Sequence, residues 1–170
     1  LEQAITEGLK DLNFADVRFQ ISFQETAGYT ADGMDDVEFL ISMNPGQPLR
    51  PLANVASGGE LSRIMLAIKT VMADRDEVET LIFDEIDVGI SGRTAQKVSE
   101  KMAYIGKKHQ VICITHLAQI AAMADAHFLI EKTVEDQTTT TDIQLLNEEQ
   151  SVEELARILG GAEILSLIHI

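Results

Sequence analysis

An α/β fold, with a largely parallel sheet flanked by helices and an antiparallel hairpin ahead of it, is what this 170-residue sequence predicts. Three observations lead there. Two short runs near the start, Val17–Phe23 and Val37–Met43, alternate apolar and polar residues as paired strands do. Beyond Ser57, helical apolar spacing alternates with short apolar strands, the pattern of parallel βαβ units. Apolar residues make up 45% and charged residues 24%, the balance of a chain that buries a core.

Taken in order, Leu1, Ile5, Leu9 and Leu12 share one helical face, as in a surface helix or the last turns of a coiled coil. The two alternating runs follow, with the polar stretch Gln24–Asp36 as a long connection between them. Pro45, Pro48 and Pro51, with Gly46, forbid helix or central strand and mark a loop. From Ser57, the residues Leu61, Ile64, Met65, Ile68, Val71 and Met72 trace an amphipathic helix. Strand 80–86, helix 92–106, strand 110–115, helix 117–124 and strand 127–132 are expected next. Ile143–Leu146 reads as an edge strand after the Thr138–Thr141 run, and Ser151 with Glu154 as the capping box of a final helix halted by Gly160-Gly161. The apolar residues 164–170 are read as a tail outside the fold.

Acids outnumber bases 28 to 13, a net charge of -15, which argues against a broad phosphate-backbone binding face on this segment. Lys97, Lys101, Lys107 and Lys108 could form a local basic patch, but a solvated helix face is the simpler reading. The single Cys113 excludes an internal disulfide and suits a small core position in a reducing compartment. No apolar run approaches the roughly 18 residues of a membrane span. A chain whose first residue is Leu1 is expected to be a piece of a longer one.

The chemistry concentrates in three places. Ser57-Gly58-Gly59-Glu60 opens a helix: Ser and Glu alone form a capping box, but two glycines in a first turn cost roughly 1 kcal/mol each against alanine. They make sense where the backbone must come close to something, and a helix N-terminus favours an anion such as phosphate. Asp84-Glu85 closes the apolar strand Leu81-Ile82-Phe83, at the strand end where open α/β folds bind ligands. Asp84 suits Mg²⁺ and Glu85 suits the deprotonation of an attacking water. His116 ends the next apolar strand and is expected on the same rim. Zinc-ligand spacing and a Gly-x-Ser-x-Gly elbow are both absent.

In this order, Ser-Gly-Gly-Glu, Leu-Ile-Phe-Asp-Glu and Ile-Thr-His resemble the signature, Walker B and switch-histidine motifs of ABC-type ATPase heads. Glu60 stands where ABC transporters commonly carry glutamine, so the chain is most similar to the SMC-like chromosome and repair ATPases. Ala56–Arg63, Asp84–Gly92 and Ile114–His127 resemble the branch acting in recombinational repair of DNA double-strand breaks in bacteria.

The resemblance implies the C-terminal lobe of a P-loop ABC/SMC-like ATPase head. Residues 1–13 would end a returning coiled coil, 14–161 would form the lobe, and 162–170 would be a tail of no assigned role. It implies ATP and Mg²⁺ as ligands, with Asp84 on the metal, Glu85 as general base and His116 as γ-phosphate sensor. Ser57, Gly58, Gly59 and Glu60 would meet the phosphates of ATP held by a second head, and residues 86–92 would touch that head. No Gly-x-x-x-x-Gly-Lys-Ser/Thr loop occurs, so the phosphate loop would come from the protein's own N-terminal lobe. The implied partners are that lobe, a second head and DNA, in a bacterial cytoplasmic, nucleoid-associated setting without membrane contact. Another SMC-like or ABC head, or a non-catalytic dimerisation module, are the alternative readings.

Overall fold

In the computed structural model, Ile5, Leu9 and Leu12 are fully buried, and they anchor helix α1 (Glu2–Asp11). Residues 1–54, 57–135 and 138–160 are described, residues 133–135 and 138 by their backbone alone. They fall into two units, 1–114 and 115 onward. Helix α1 stops where Asn13 turns left-handed at φ 72°, while the Leu12 and Phe14 N–H groups return to the Leu9 carbonyl at 2.9 and 3.2 Å. Asparagine tolerates that conformation better than most residues, which makes it a natural helix stop.

Strands β1 (Arg18–Thr30) and β2 (Gly33–Ser42) pair antiparallel, and β3 (Arg50–Pro51) pairs with β2 at its edge. The hairpin is longer than expected. The stretch 24–36 is mostly ladder, paired through Glu25↔Asp35 and again at Thr30↔Gly33. Polar side chains cost nothing on a ribbon that water reaches, and pairing satisfies the backbone. The proline-rich loop is present as read, with Pro51 on an edge strand, where a missing N–H is tolerated.

Helix α2 (Gly58–Met72) packs between α1 and α3 (Gly92–Ile105). Its buried residues are Gly59, Arg63, Ile64, Leu66, Ala67 and Ile68. The stripe is therefore rotated from the predicted one: Leu61 is 38% exposed, and Met65, Val71 and Met72 are half-buried. A helix flanked on two sides buries a wider arc than one facing a single layer, and this arc takes in an arginine. Lys101 of α3 reaches Asp11 at the end of α1 at 3.0 Å.

Strands β4 (Thr80–Phe83) and β5 (Gln110–Cys113) are parallel, in register Thr80↔Gln110 to Phe83↔Cys113, with α3 as the crossover between them. Both are shorter than the expected 80–86 and 110–115, because the chain turns sharply after Phe83. Nor is the pair buried on both faces. Leu81 and Phe83 point inward, whereas Ile82, Ile112 and Ile114 are 68%, 44% and 51% exposed. His109, just before β5, spans the carbonyls of Ala73 (3.0 Å) and Val78 (2.7 Å), a structural placement.

In the second unit, α4 (Ala118–Ala121) is one turn rather than the expected 117–124. Strand β6 (Phe128–Glu135) pairs antiparallel with β7 (Thr138–Leu145), so the strand expected over 127–132 belongs to a hairpin and not to a further parallel unit. The threonine run lies within β7. His127 Nε2 lies 2.7 Å from the Ala121 carbonyl. Helix α5 (Glu148–Gly160) begins before Ser151. Its cap is Asn147, whose Oδ1 accepts from the Gln150 N–H at 2.9 Å while Gln150 Oε1 accepts from the Asn147 N–H at 3.0 Å. Asparagine is a stronger cap than an interior serine, and Glu154 is taken by Arg157 at 2.6 Å. Gly161, the tail 162–170 and Ala56 of the signature stretch lie outside the described residues. Among the described residues no helix is long and apolar enough to cross a membrane.

Replacing Asn147 with alanine should weaken α5 by about 1 kcal/mol, read as faster amide exchange over its first two turns. Ser151→Ala should leave that exchange unchanged.

Candidate functional site

Ser57 stands in extended conformation ahead of α2, and its Oγ accepts from the Glu60 N–H at 3.2 Å. This is one half of the expected capping box. The Glu60 carboxylate instead acts electrostatically on Arg63, one turn on. Among the described residues, neither the Gly58 nor the Gly59 N–H finds a protein acceptor, at the positive end of α2.

After Phe83 the chain leaves β4. The Glu85 N–H donates to Asp84 Oδ1 at 2.8 Å, and Glu85 is left-handed at φ 56°. For a residue with a side chain this conformation costs on the order of 1 kcal/mol or more. The turn closes with Val88 N–H donating to the Glu85 carbonyl at 3.1 Å. Helix α2 holds it from one side. Ser62 Oγ donates to the Asp84 carbonyl at 2.7 Å, and Arg63 Nη1 donates to the carbonyls of Ile86 (3.2 Å) and Val88 (2.8 Å). Asp84 and Glu85 are exposed, and Ile86 and Asp87 are buried beneath them.

Neither Asp84 nor Glu85 belongs to strand β4, which ends at Phe83. They sit on a turn, and the turn has a bearing on the glycines. A Cβ on Gly58 would overlap the Glu85 carboxylate, and one on Gly59 would lie 2.7 Å from the Glu85 carbonyl oxygen and 3.2 Å from Val88 Cβ. The glycine pair thus lets the Glu85 turn seat directly on the start of α2. Ser57, Gly58, Gly59, Glu60, Asp84 and Glu85 all belong to the first unit, whereas His116 is an exposed residue of the second.

Arg63 and Ser62 are the contributors that the sequence reading passed over. Arg63 is 7% exposed, its guanidinium 5.7 Å from the Phe14 ring centroid, and its Nε has no acceptor among the described residues. Burial pulls its pKa below the ordinary value, and the Glu60 charge pulls the other way. The sequence did hold a signal: Arg63 falls one turn after Gly59 and one turn before Ala67, on the buried arc.

Asp84 fits one side of a Mg²⁺ site. Its Oδ1 is engaged by the Glu85 N–H, and among the described residues no group of three His, Cys, Asp or Glu could cage a metal. Magnesium commonly takes one or two carboxylates and completes its shell with water and phosphate oxygens, so a lone exposed aspartate suits it. Cys113, opposite Phe83 in the ladder, is half-buried rather than fully in the core. Burial first, then the charges of Asp87 and Asp84, pushes its thiol up to about 12. Three of the four lysines of the suggested basic patch are paired: Lys97 with Glu100 (2.8 Å), Lys101 with Asp11 (3.0 Å) and Lys108 with Asp74.

Among known proteins, the chain is 47% identical over 171 residues to the DNA repair protein RecN of Halalkalibacterium halodurans, covering 98% of this chain and 30% of that protein. The chain thus spans about a third of the length of this relative. Among solved structures, the Smc head domain with coiled coil and joint from Pyrococcus yayanosii aligns with a TM-score of 0.60 at 18% identity, over 91% of this chain and 28% of that one. A chain solved in work on ATP-driven dimerization and DNA-stimulated activation of SMC ATPases aligns with a TM-score of 0.53 at 19% identity, over 93% of this chain and 90% of that one. No protein-family model matches.

Two outcomes check the geometry. Gly58→Ala should be near neutral in urea unfolding, because the helix gains roughly 1 kcal/mol and only a side-chain end must move. Gly59→Ala should destabilise by about 1–3 kcal/mol, because a backbone carbonyl must shift. Separately, a raised pKa keeps the Cys113 thiol protonated at pH 8, so native alkylation by iodoacetamide should run roughly 100-fold slower than in urea. Asp84→Asn, which removes a charge opposing the thiolate, should speed it.

Proposed function

We propose, for a chain that is RecN-like in sequence and built on the fold of an SMC head, that it is the C-terminal ATPase lobe of a protein in recombinational repair of DNA double-strand breaks. The observation that carries this reading is the Asp84-Glu85 turn at the carboxyl end of a parallel strand, seated on the Ser57-Gly58-Gly59 start of α2. Exposed carboxylates stand there beside helix donors that have no protein acceptor among the described residues, a pairing that suits phosphate transfer to water.

In this reading Ser57, Gly58, Gly59 and Glu60 meet the phosphates of ATP held by a second head. Asp84 holds Mg²⁺, which when bound neutralises charge on the phosphates. Glu85 orients the attacking water and accepts its proton as the β–γ bond breaks and the electron pair leaves with ADP. His116 senses the γ-phosphate. Residues 1–13, which hold helix α1, are the end of a returning coil, and residues 86–92 face the second head.

The phosphate loop comes from the protein's own N-terminal lobe. The exposure of Ile82, Ile112 and Ile114 on β4 and just beyond β5 supports a further layer, since parallel sheets are ordinarily buried on both sides. Grip on DNA is cycled by closing and releasing two heads. A protein so built works in the bacterial cytoplasm at the nucleoid.

The chain alone should show negligible ATP turnover. Joined to the N-terminal lobe it should form ATP-dependent head dimers, which Ser57→Arg blocks and Glu85→Gln preserves while lowering hydrolysis by on the order of 100-fold. Size-exclusion chromatography with ATP and a phosphate-release assay check both. Turnover by the chain alone that Glu85→Gln abolishes would sink the half-site reading.

A further inference from the structure

We infer that Arg63 is the positioning residue of Glu85: from within α2 it fixes the turn that aims the general base, and it links the start of α2 to that turn. This rests on the proposed ATPase reading and goes beyond it, since neither the signature stretch nor the Asp-Glu pair assigns Arg63 a role.

The geometry is specific. Arg63 Nη1 donates to two carbonyls of one turn, Ile86 at 3.2 Å and Val88 at 2.8 Å, while Ser62 Oγ holds Asp84's carbonyl at 2.7 Å. Three alternate carbonyls, of Asp84, Ile86 and Val88, are thereby held by two adjacent side chains of α2. Glu85 lies inside this grip in a left-handed conformation that a residue with a side chain disfavours. Such strain persists where the surroundings over-determine it, and Ser62 and Arg63 hold the turn from α2 while Asp84 Oδ1 accepts from the Glu85 N–H within it.

Beyond the contact of its guanidinium with the Phe14 ring, packing alone gives no reason for an arginine here. The site is buried, one side-chain nitrogen has no acceptor among the described residues, and Phe14 lines it. An apolar side chain of similar length is often neutral or better for stability at such a place. What an apolar residue cannot do is donate to Ile86 and Val88. The same helix begins with Ser57, Gly58 and Gly59, so a displacement of α2 on meeting phosphate carries directly to the turn that bears Glu85.

The test uses the full-length protein containing this chain, with Arg63→Met, Arg63→Lys, Glu85→Gln and the Arg63→Met/Glu85→Gln pair. Arg63→Met should lower single-turnover hydrolysis at least 10-fold, with KM for ATP and ATP-dependent dimerisation within twofold of the parent. It should not lower hydrolysis further in the Glu85→Gln background. Amide exchange at Val88 and Ile90, whose N–H groups close the turn, should quicken about 10-fold while β5 is unaffected. Arg63→Lys, which keeps a donor of shorter reach, should fall between parent and Arg63→Met in both readouts. Should Arg63→Met fail to fold, Arg63→Lys carries the same comparison. Unchanged hydrolysis and exchange, or an equal further loss in the Glu85→Gln background, overturns the inference while leaving the ATPase reading intact. A parent protein whose hydrolysis ignores Glu85→Gln overturns both.

Discussion

The donation of Ser62 and Arg63 to the carbonyls of Asp84, Ile86 and Val88 is the constraint on which the rest of the site depends. A parallel strand delivers its last residue to the sheet edge but does not say where the chain goes next. Here α2 decides it. The chain bends over the start of that helix, Glu85 takes a left-handed conformation, and the acids emerge exposed above a buried Ile86 and Asp87. The bend also explains the glycines, since any Cβ at Gly58 or Gly59 would meet Glu85.

This arrangement gives the glycine pair two uses that do not compete. Toward its own chain the pair offers the flat surface on which the Glu85 turn rests. It also leaves the Gly58 and Gly59 N–H groups without an acceptor among the described residues, at the helix end that favours an anion. One short segment thus touches both the hydrolytic carboxylate and the place proposed for phosphate from a second head. An arginine buried among apolar neighbours is a costly way to fill space, and its carbonyl partners give it a reason to be there.

Much of this was legible in the residues. The strand–helix–strand order of β4, α3 and β5 follows from apolar spacing, and the acids stand at the predicted strand end. The hairpin was legible at its apolar ends but not in its polar middle, because cross-strand pairing on an exposed ribbon leaves no hydrophobic alternation to read. Ser151 and Glu154 matched a capping pattern that Asn147 and Gln150 satisfied instead, four residues earlier, because capping motifs are short enough to recur by chance.

The sequence by itself determined the chemical inventory: a Ser-Gly-Gly helix start, an Asp-Glu pair after an apolar strand, and no lysine phosphate loop. Those are local patterns, set by neighbours in the chain. Only the tertiary structure decided that Glu85 turns back onto Gly58, and that Arg63 lies inside and holds the turn. Each of these is a contact between residues some twenty or more positions apart. Periodicity and local propensity carry no record of such distances, because they report only what a residue's own neighbours require of it.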